Sequence, residues 1–267
     1  MGKRMTVLMA TAALVASRAL GGLYYEAKTT VQGRKGAEMG NTTVKAWVSG
    51  ENAKVEFESS GNPMTEPGMY MITNDGGKTV YMVNPEKKQY FAWDLNSLTG
   101  VAGGMMKMMN FQITDPKVVK VGEAPGDTVA GLPTVHYTYN ISYGQSMKFM
   151  MMKKNVKVTK VQETWTAPKL VDAALGTYLR KEPPSLGDES FDKLIRAEMQ
   201  AMKGFPLRTK IEQTETDEKG KAETTTTLME VTKIELELAT PASTFAIPPG
   251  FEKVDMPTMM GPGGGPR

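Results

Sequence analysis

The chain has 267 residues, with 32 lysines and arginines against 29 acidic side chains, one histidine and no cysteine. Without cysteine there is no disulfide, no thiolate nucleophile, no thiolate metal ligand and no lipid-modified cysteine. The single histidine excludes a two-histidine metal centre, and methionine, at 22 residues, is the one strong deviation in composition.

The chain opens Met-Gly-Lys-Arg, continues MTVLMATAALVA from Met5 to Ala16 and then reads Ser17-Arg18-Ala19. A charged start, an apolar stretch and a small-x-small site predict a signal peptide over residues 1–19 and a periplasmic or secreted mature protein. The apolar run of about 12 residues is shorter than the roughly 20 that span a bilayer, and no later run is long enough, so no transmembrane segment is expected. Cleavage removes Lys3, Arg4 and Arg18 and leaves 29 basic residues against 29 acidic ones. The net charge of +3 then belongs to the targeting segment, and no nucleic-acid partner is expected.

From Leu23 onward, apolar and polar residues alternate between turn signals. TTVKAWV (Thr42 to Val48) leads through Ser49-Gly50-Glu51-Asn52 into a segment where Ala53, Val55 and Phe57 alternate with Lys54, Glu56 and Glu58. MYMIT, KTVYMV and QYFAWD follow as a meander, joined by Asn74-Asp75-Gly76-Gly77 and by Asn84-Pro85-Glu86-Lys87-Lys88. A weaker helix is expected over about Leu95 to Met109, with Leu98, Val101, Ala102, Met105 and Met109 on one face; Gly100, Gly103 and Gly104 each cost it about 1 kcal/mol relative to alanine. Strand patterns resume at KVVKV, TVHYTYNISY and KNVKVTKVQETW.

A second helix is expected over roughly Ser190 to Lys203, with Phe191, Leu194, Ile195, Met199 and Met202 on one stripe, Asp188 as N-cap and Gly204 as stop. A long hairpin from Leu207 to Leu238 turns at Asp217-Glu218-Lys219-Gly220. The tail 257–267 is Gly/Pro/Met-rich and has no periodicity, so it is expected to be disordered. These elements predict a mainly β fold: one domain over 20–256, in which a curved antiparallel sheet forms an incomplete barrel covered by short helices.

Catalytic signatures are missing. His136 in TVHYTYN has no placed nucleophile, and there is no G-x-S-x-G elbow, phosphate-binding glycine loop or H-E-x-x-H pair. A non-enzymatic protein without cofactor or resident metal is expected. The methionine clusters MMKMM (Met105 to Met109), MKFMMM (Met147 to Met152) and MPTMM (Met256 to Met260) admit three readings. They are ordinary core filling, a deformable lining for a lipid or acyl chain, or a soft Cu(I) site led by Met256, Met259 and Met260.

GLYYEAKTTVQ, MYMITNDGGKTVYMVNPEKKQYFAWD, AGLPTVHYTYN, ETWTAPKL, GFPLRTKI and ASTFAIPPGFEKVDMP resemble an uncharacterised family of exported bacterial proteins. That family is distantly similar to lipoprotein carriers of the LolA/LolB type. The resemblance covers roughly residues 22–256 and implies an incomplete antiparallel barrel with helices over an apolar cavity; its motifs are strand ends and turns, so it carries no specific cargo. The apolar pattern points to Trp47, Phe57, Tyr81, Phe91 and Trp93 as wall and to Leu98, Val101, Met105, Met106 and Met109 as movable cover for an apolar small molecule or lipid. The alternatives are an envelope structural or interaction protein with a self-filled core and a methionine-based Cu(I) handler.

Overall fold

The computed structural model describes residues 22–34, 36–63, 65–94, 110–149, 152–168, 170, 189–201 and 204–255. Within them the chain forms β1 (Gly22–Gln32), β2 (Thr42–Ser49), β3 (Asn52–Ser60), β4 (Tyr70–Thr73), β5 (Thr79–Asn84) and β6 (Gln89–Asp94). There follow β7 (Gln112–Pro125), β8 (Val135–Phe149), β9 (Met152–Ala167), the helix α1 (Glu189–Ala201), β10 (Phe205–Asp217), β11 (Ala222–Leu238) and β12 (Glu252–Lys253). All twelve strands belong to one sheet in the order β12-β6-β5-β4-β3-β2-β1-β11-β10-β9-β8-β7. Every pairing is antiparallel except β12 on β6, and the sheet does not close into a barrel.

Two meanders therefore meet at β1. One runs β1 to β6, the other β7 to β11, and β1 takes β2 on one side and β11 on the other. Short turns explain the sequential pairing. At the β4–β5 turn, Asp75 accepts hydrogen bonds from the Thr79 N–H (3.0 Å) and the Thr73 hydroxyl (2.9 Å). Burial opposes the charge on Asp75, but these donors outweigh it and hold its carboxyl below the usual range. At the β10–β11 turn, the Asp217 carboxylate accepts from the Lys219 and Lys221 N–H groups at 2.9 and 2.8 Å.

One face of the sheet, called inner here, carries the largest core. Leu23, Tyr25 and Ala27 of β1 pack with Ala46 and Val48 of β2, Ala53 and Val55 of β3, Leu207 of β10 and Val231 of β11. Phe205 crosses from the other meander and meets the Tyr25 ring edge-on at 5.3 Å. A tight two-residue turn, Ala130-Gly131, has both residues at positive φ, as a type I′ hairpin needs, and brings Val129 into the same core.

The helix lies on the inner face of the second meander. Leu194 is buried with Ile113, Tyr137, Tyr139 and Ile141, and Phe191 meets Phe111 edge-on at 6.2 Å. Two residues of the expected stripe thus cover the sheet, and Gly204 stands just beyond at φ 86°, a left-handed stop. The weaker helix expected over Leu95 to Met109 and the disordered tail expected over 257–267 lie outside the described residues.

The outer face of β4–β6 has its own core. Tyr70, Ile72 and Val83 pack with Tyr81, Tyr90, Ile247 and Phe251. The C-terminal segment supplies the last two and then adds β12 to the β6 edge, with the Glu252 N–H donating to the Lys88 carbonyl at 2.9 Å.

Candidate functional site

Because strand residues alternate between faces, the strand register carries a single row across the first meander: Tyr25, Ala46, Val55, Met71, Met82 and Phe91 on β1 to β6. A neighbouring row reads Leu23, Val48, Ala53, Thr73 on β1 to β4, and Val80 and Trp93 face each other across β5 and β6. Apart from Thr73, whose hydroxyl is engaged by Asp75, these positions are apolar. Ala46 and Ala53 are fully enclosed, and Met82 and Val80 are buried. Burial pushes the Tyr25 phenol up, so that it stays neutral in this apolar setting.

Across the second meander the same face turns polar. The rows Thr209, Thr164, Tyr137 and Ile211, Gln162, Tyr139 follow from the register of β10, β9 and β8. Gln162, Thr164 and Thr166 are buried there. Lys160 reaches Glu198 of α1 at 3.2 Å and lies 5.4 Å from the Tyr143 ring centre, which ties the helix down.

The residues expected as wall are divided between the faces. Phe91 stands in the inner row, Phe57 holds the register position opposite Val44 on that side, and Trp93 lies opposite Val80. Trp47 and Tyr81 occupy the opposite parity. Trp47 contacts the Tyr24 ring at 5.2 Å and has the Lys54 ammonium 5.1 Å from its centre, while Tyr81 meets Tyr90 in the outer core. Leu98, Val101, Met105, Met106 and Met109 lie outside the described residues, as do Met256, Met259 and Met260. Tyr25, Ala46, Val55, Met71 and Met82 were missed. Part of the signal is local: the short β2–β3 turn sets Ala46 against Val55, and the β4–β5 and β5–β6 turns set Met71, Met82 and Phe91 in register, whereas the nine-residue connections before β2 and β4 give no such count.

The comparison with known families is read against this geometry. A family model described as a domain of unknown function, DUF4412, matches residues 34–251. The chain belongs to the DUF4412 family. The DUF4412 match takes in β2 to β11 and ends at Phe251, within the segment that covers the outer core. It begins just after β1, the strand on which both meanders of this DUF4412 protein pair. No curated protein matches the sequence.

His136 stacks on Trp165 with centroids 4.2 Å apart and planes 10° from parallel, and Arg208 lies 5.3 Å from the Trp165 centre. Arg208 forks onto Glu230, donating through Nε at 3.3 Å and Nη2 at 3.2 Å, and also reaches Asp127 at 3.3 Å. That ties the loop after β7 to β10 and β11. Among the described residues, no three histidine, aspartate or glutamate side chains gather closely enough to hold a metal ion. No described helix is long and apolar enough to cross a membrane.

Proposed function

We propose that this DUF4412 protein is exported through a cleaved signal peptide and acts, without catalysis, as a periplasmic or secreted binding protein that holds a lipid or acyl chain against the inner face of β1–β6. The observation that carries the reading is the apolar row from Tyr25 to Phe91. Five interstrand spacings make that row about 24 Å wide, enough to lay an extended hydrocarbon across the strands. Small side chains at Ala27, Ala46 and Ala53 keep the floor low, and the thioethers of Met71 and Met82 repack easily around guests of different shape. The resemblance to LolA/LolB-type carriers supports the same architecture. The lone histidine, stacked on Trp165, supports a role without chemistry.

A second reading is an envelope structural or interaction protein whose inner face is filled by its own side chains. It is favoured by Val129, Ala130, Leu132 and Leu170, which pack against the same core. Native mass spectrometry of protein purified from cells, together with uptake of a fluorescent fatty acid, separates the two. A carrier shows a co-purified lipid mass and dye uptake that drops when Ala46 and Ala53 are both changed to leucine. A clean unliganded mass with no dye uptake sinks the carrier reading. N-terminal sequencing of the exported protein tests the leader: a start near Leu20 is expected.

A further inference from the structure

We propose that the open groove at the far end of β7–β10 is an anion site that takes a phosphate-bearing group. The groove has a volume of about 690 Å³ and lies where the β8–β9 and β10–β11 hairpins end. Its lining includes Thr114, Ser146, Lys148, Lys153, Asn155 and Lys157, with Asp217 and Glu218 at the rim, so amides, hydroxyls and three ammonium groups stand beside two carboxylates.

Strand parity puts this lining on the outer face. Val156 and Val158 are buried and Lys160 meets α1, so Lys153, Asn155 and Lys157 point the other way. The site is thus separate from the apolar row. Gly144 is paired with Thr114, and a Cβ on Gly144 would stand 2.4 Å from the Thr114 Oγ1, so only glycine leaves this floor open.

The charge arrangement points to an anion. Lys148 and Lys153 are register partners, and like charges placed directly opposite each other repel. Lys157 lies two repeats of the pleat further along β9, beyond Asn155 and opposite Gly144. None of the three makes an ion pair among the described residues, whereas Lys45, Lys54, Lys120, Lys160, Lys221 and Lys233 each pair with a glutamate.

The two carboxylates on the rim, Asp217 and Glu218, already accept hydrogen bonds from the protein, Glu218 from Asn155 of the lining itself. Asp217 holds its own turn. A dianionic phosphate between the three ammonium groups removes their mutual repulsion, and Ser146, Thr114 and the amide of Asn155 lie within the same lining for its remaining oxygens. The volume suits a small phosphate ester or the headgroup of an anionic lipid.

The test uses the full mature chain. Inorganic phosphate is titrated while the backbone amides of Gly144 and Ser146 are followed by NMR, and flotation is measured with vesicles of phosphatidylglycerol and of phosphatidylcholine. Saturable amide shifts with phosphate, or flotation with the anionic vesicles alone, support the site; shifts without flotation assign a free phosphate ester, and flotation without shifts assigns a lipid headgroup. In either arm Lys153→Glu with Lys157→Glu weakens binding by roughly tenfold or more, and Lys210→Glu, on the same sheet outside the groove, leaves it unchanged. Lys148→Gln is the milder check should the double variant lose its native circular dichroism. No response in either arm, or a folded double variant that binds as well as the parent, overturns the proposal.

Discussion

The two meanders share one sheet but bury it differently. At β4 and β5 both faces are buried: Met71 packs on the main core and Val80 and Met82 are buried on the inner side, while Ile72 and Val83 are covered on the outer side by Ile247 and Phe251 of the C-terminal segment. From β7 to β9, among the described residues, α1 covers the inner face, and on the other strand face Val119, Val121 and Val161 stay about half exposed, at 51%, 53% and 45%. Strands buried on two sides need apolar residues at consecutive positions, as YMIT and TVYMVN have; strands buried on one side can spend every second position on lysine, glutamate and threonine.

The strongest way to break that comparison is at the junction. Phe205 is almost fully buried and joins the meanders through its contact with Tyr25, so Phe205→Ala should cost about 3–5 kcal/mol in urea unfolding. A loss under about 1 kcal/mol would mean that the two halves are not coupled there.

The comparison is sharpened by paired substitutions on strand positions that differ only in cover. Ile72→Ala, beneath the C-terminal segment, should cost about 2–4 kcal/mol, whereas Val161→Ala should stay within about 0.5 kcal/mol. Equal losses at the two positions would contradict the one-sided burial of β7–β9.

How much of this was readable beforehand follows the range of the interactions. QYFAWD is β6 to the residue, the Asp217 to Gly220 turn ends β10 where expected, and α1 starts one residue before its expected span, while the expected end at Lys203 lies outside the described residues. These depend on local alternation, turn chemistry and helical spacing. The pairing of β1 with β11 is set by contacts between residues as far apart in sequence as Gly22 and Leu238, so no local pattern announces it. The division of Trp47 and Tyr81 from Phe91 lies in the parity of positions along each strand, which the size of an aromatic side chain does not reveal. The outer core was hidden for a different reason: Ile247 and Phe251 stand in a segment without strand or helix periodicity, and only their docking on Ile72 and Val83 reveals their role.

A smaller effect is expected at the β4–β5 turn. Asp75→Ala removes an acceptor for Thr79 and Thr73 and should cost about 1–2 kcal/mol at neutral pH. Since the folded-state carboxyl titrates below its unfolded value, its contribution is full above the ordinary aspartate range and fades as pH falls through the lower folded value. The stability gap between parent and variant should therefore hold steady above about pH 5 and narrow below about pH 4.

The smallest expected change is Arg208→Lys. A lysine keeps the charge but cannot fork onto Glu230 or lie flat on Trp165, and these partners are part-exposed, so a loss of roughly 0.5–1 kcal/mol is expected. Thermal unfolding of the two proteins side by side checks it.

An unclosed sheet leaves two rims, and the chain treats both. At one rim β12 lies parallel to β6 and is only two residues long, Glu252 and Lys253, both exposed. At the other, β7 carries Pro116, which has no N–H to offer, beside Asp115 at φ 49°, and its ladder slips at Thr114/Lys117 and again at Lys120/Gly122. A growing fibril needs a straight, regularly spaced template, and neither rim provides one. The molecule can thus be abundant in a crowded compartment without its copies zipping into polymers.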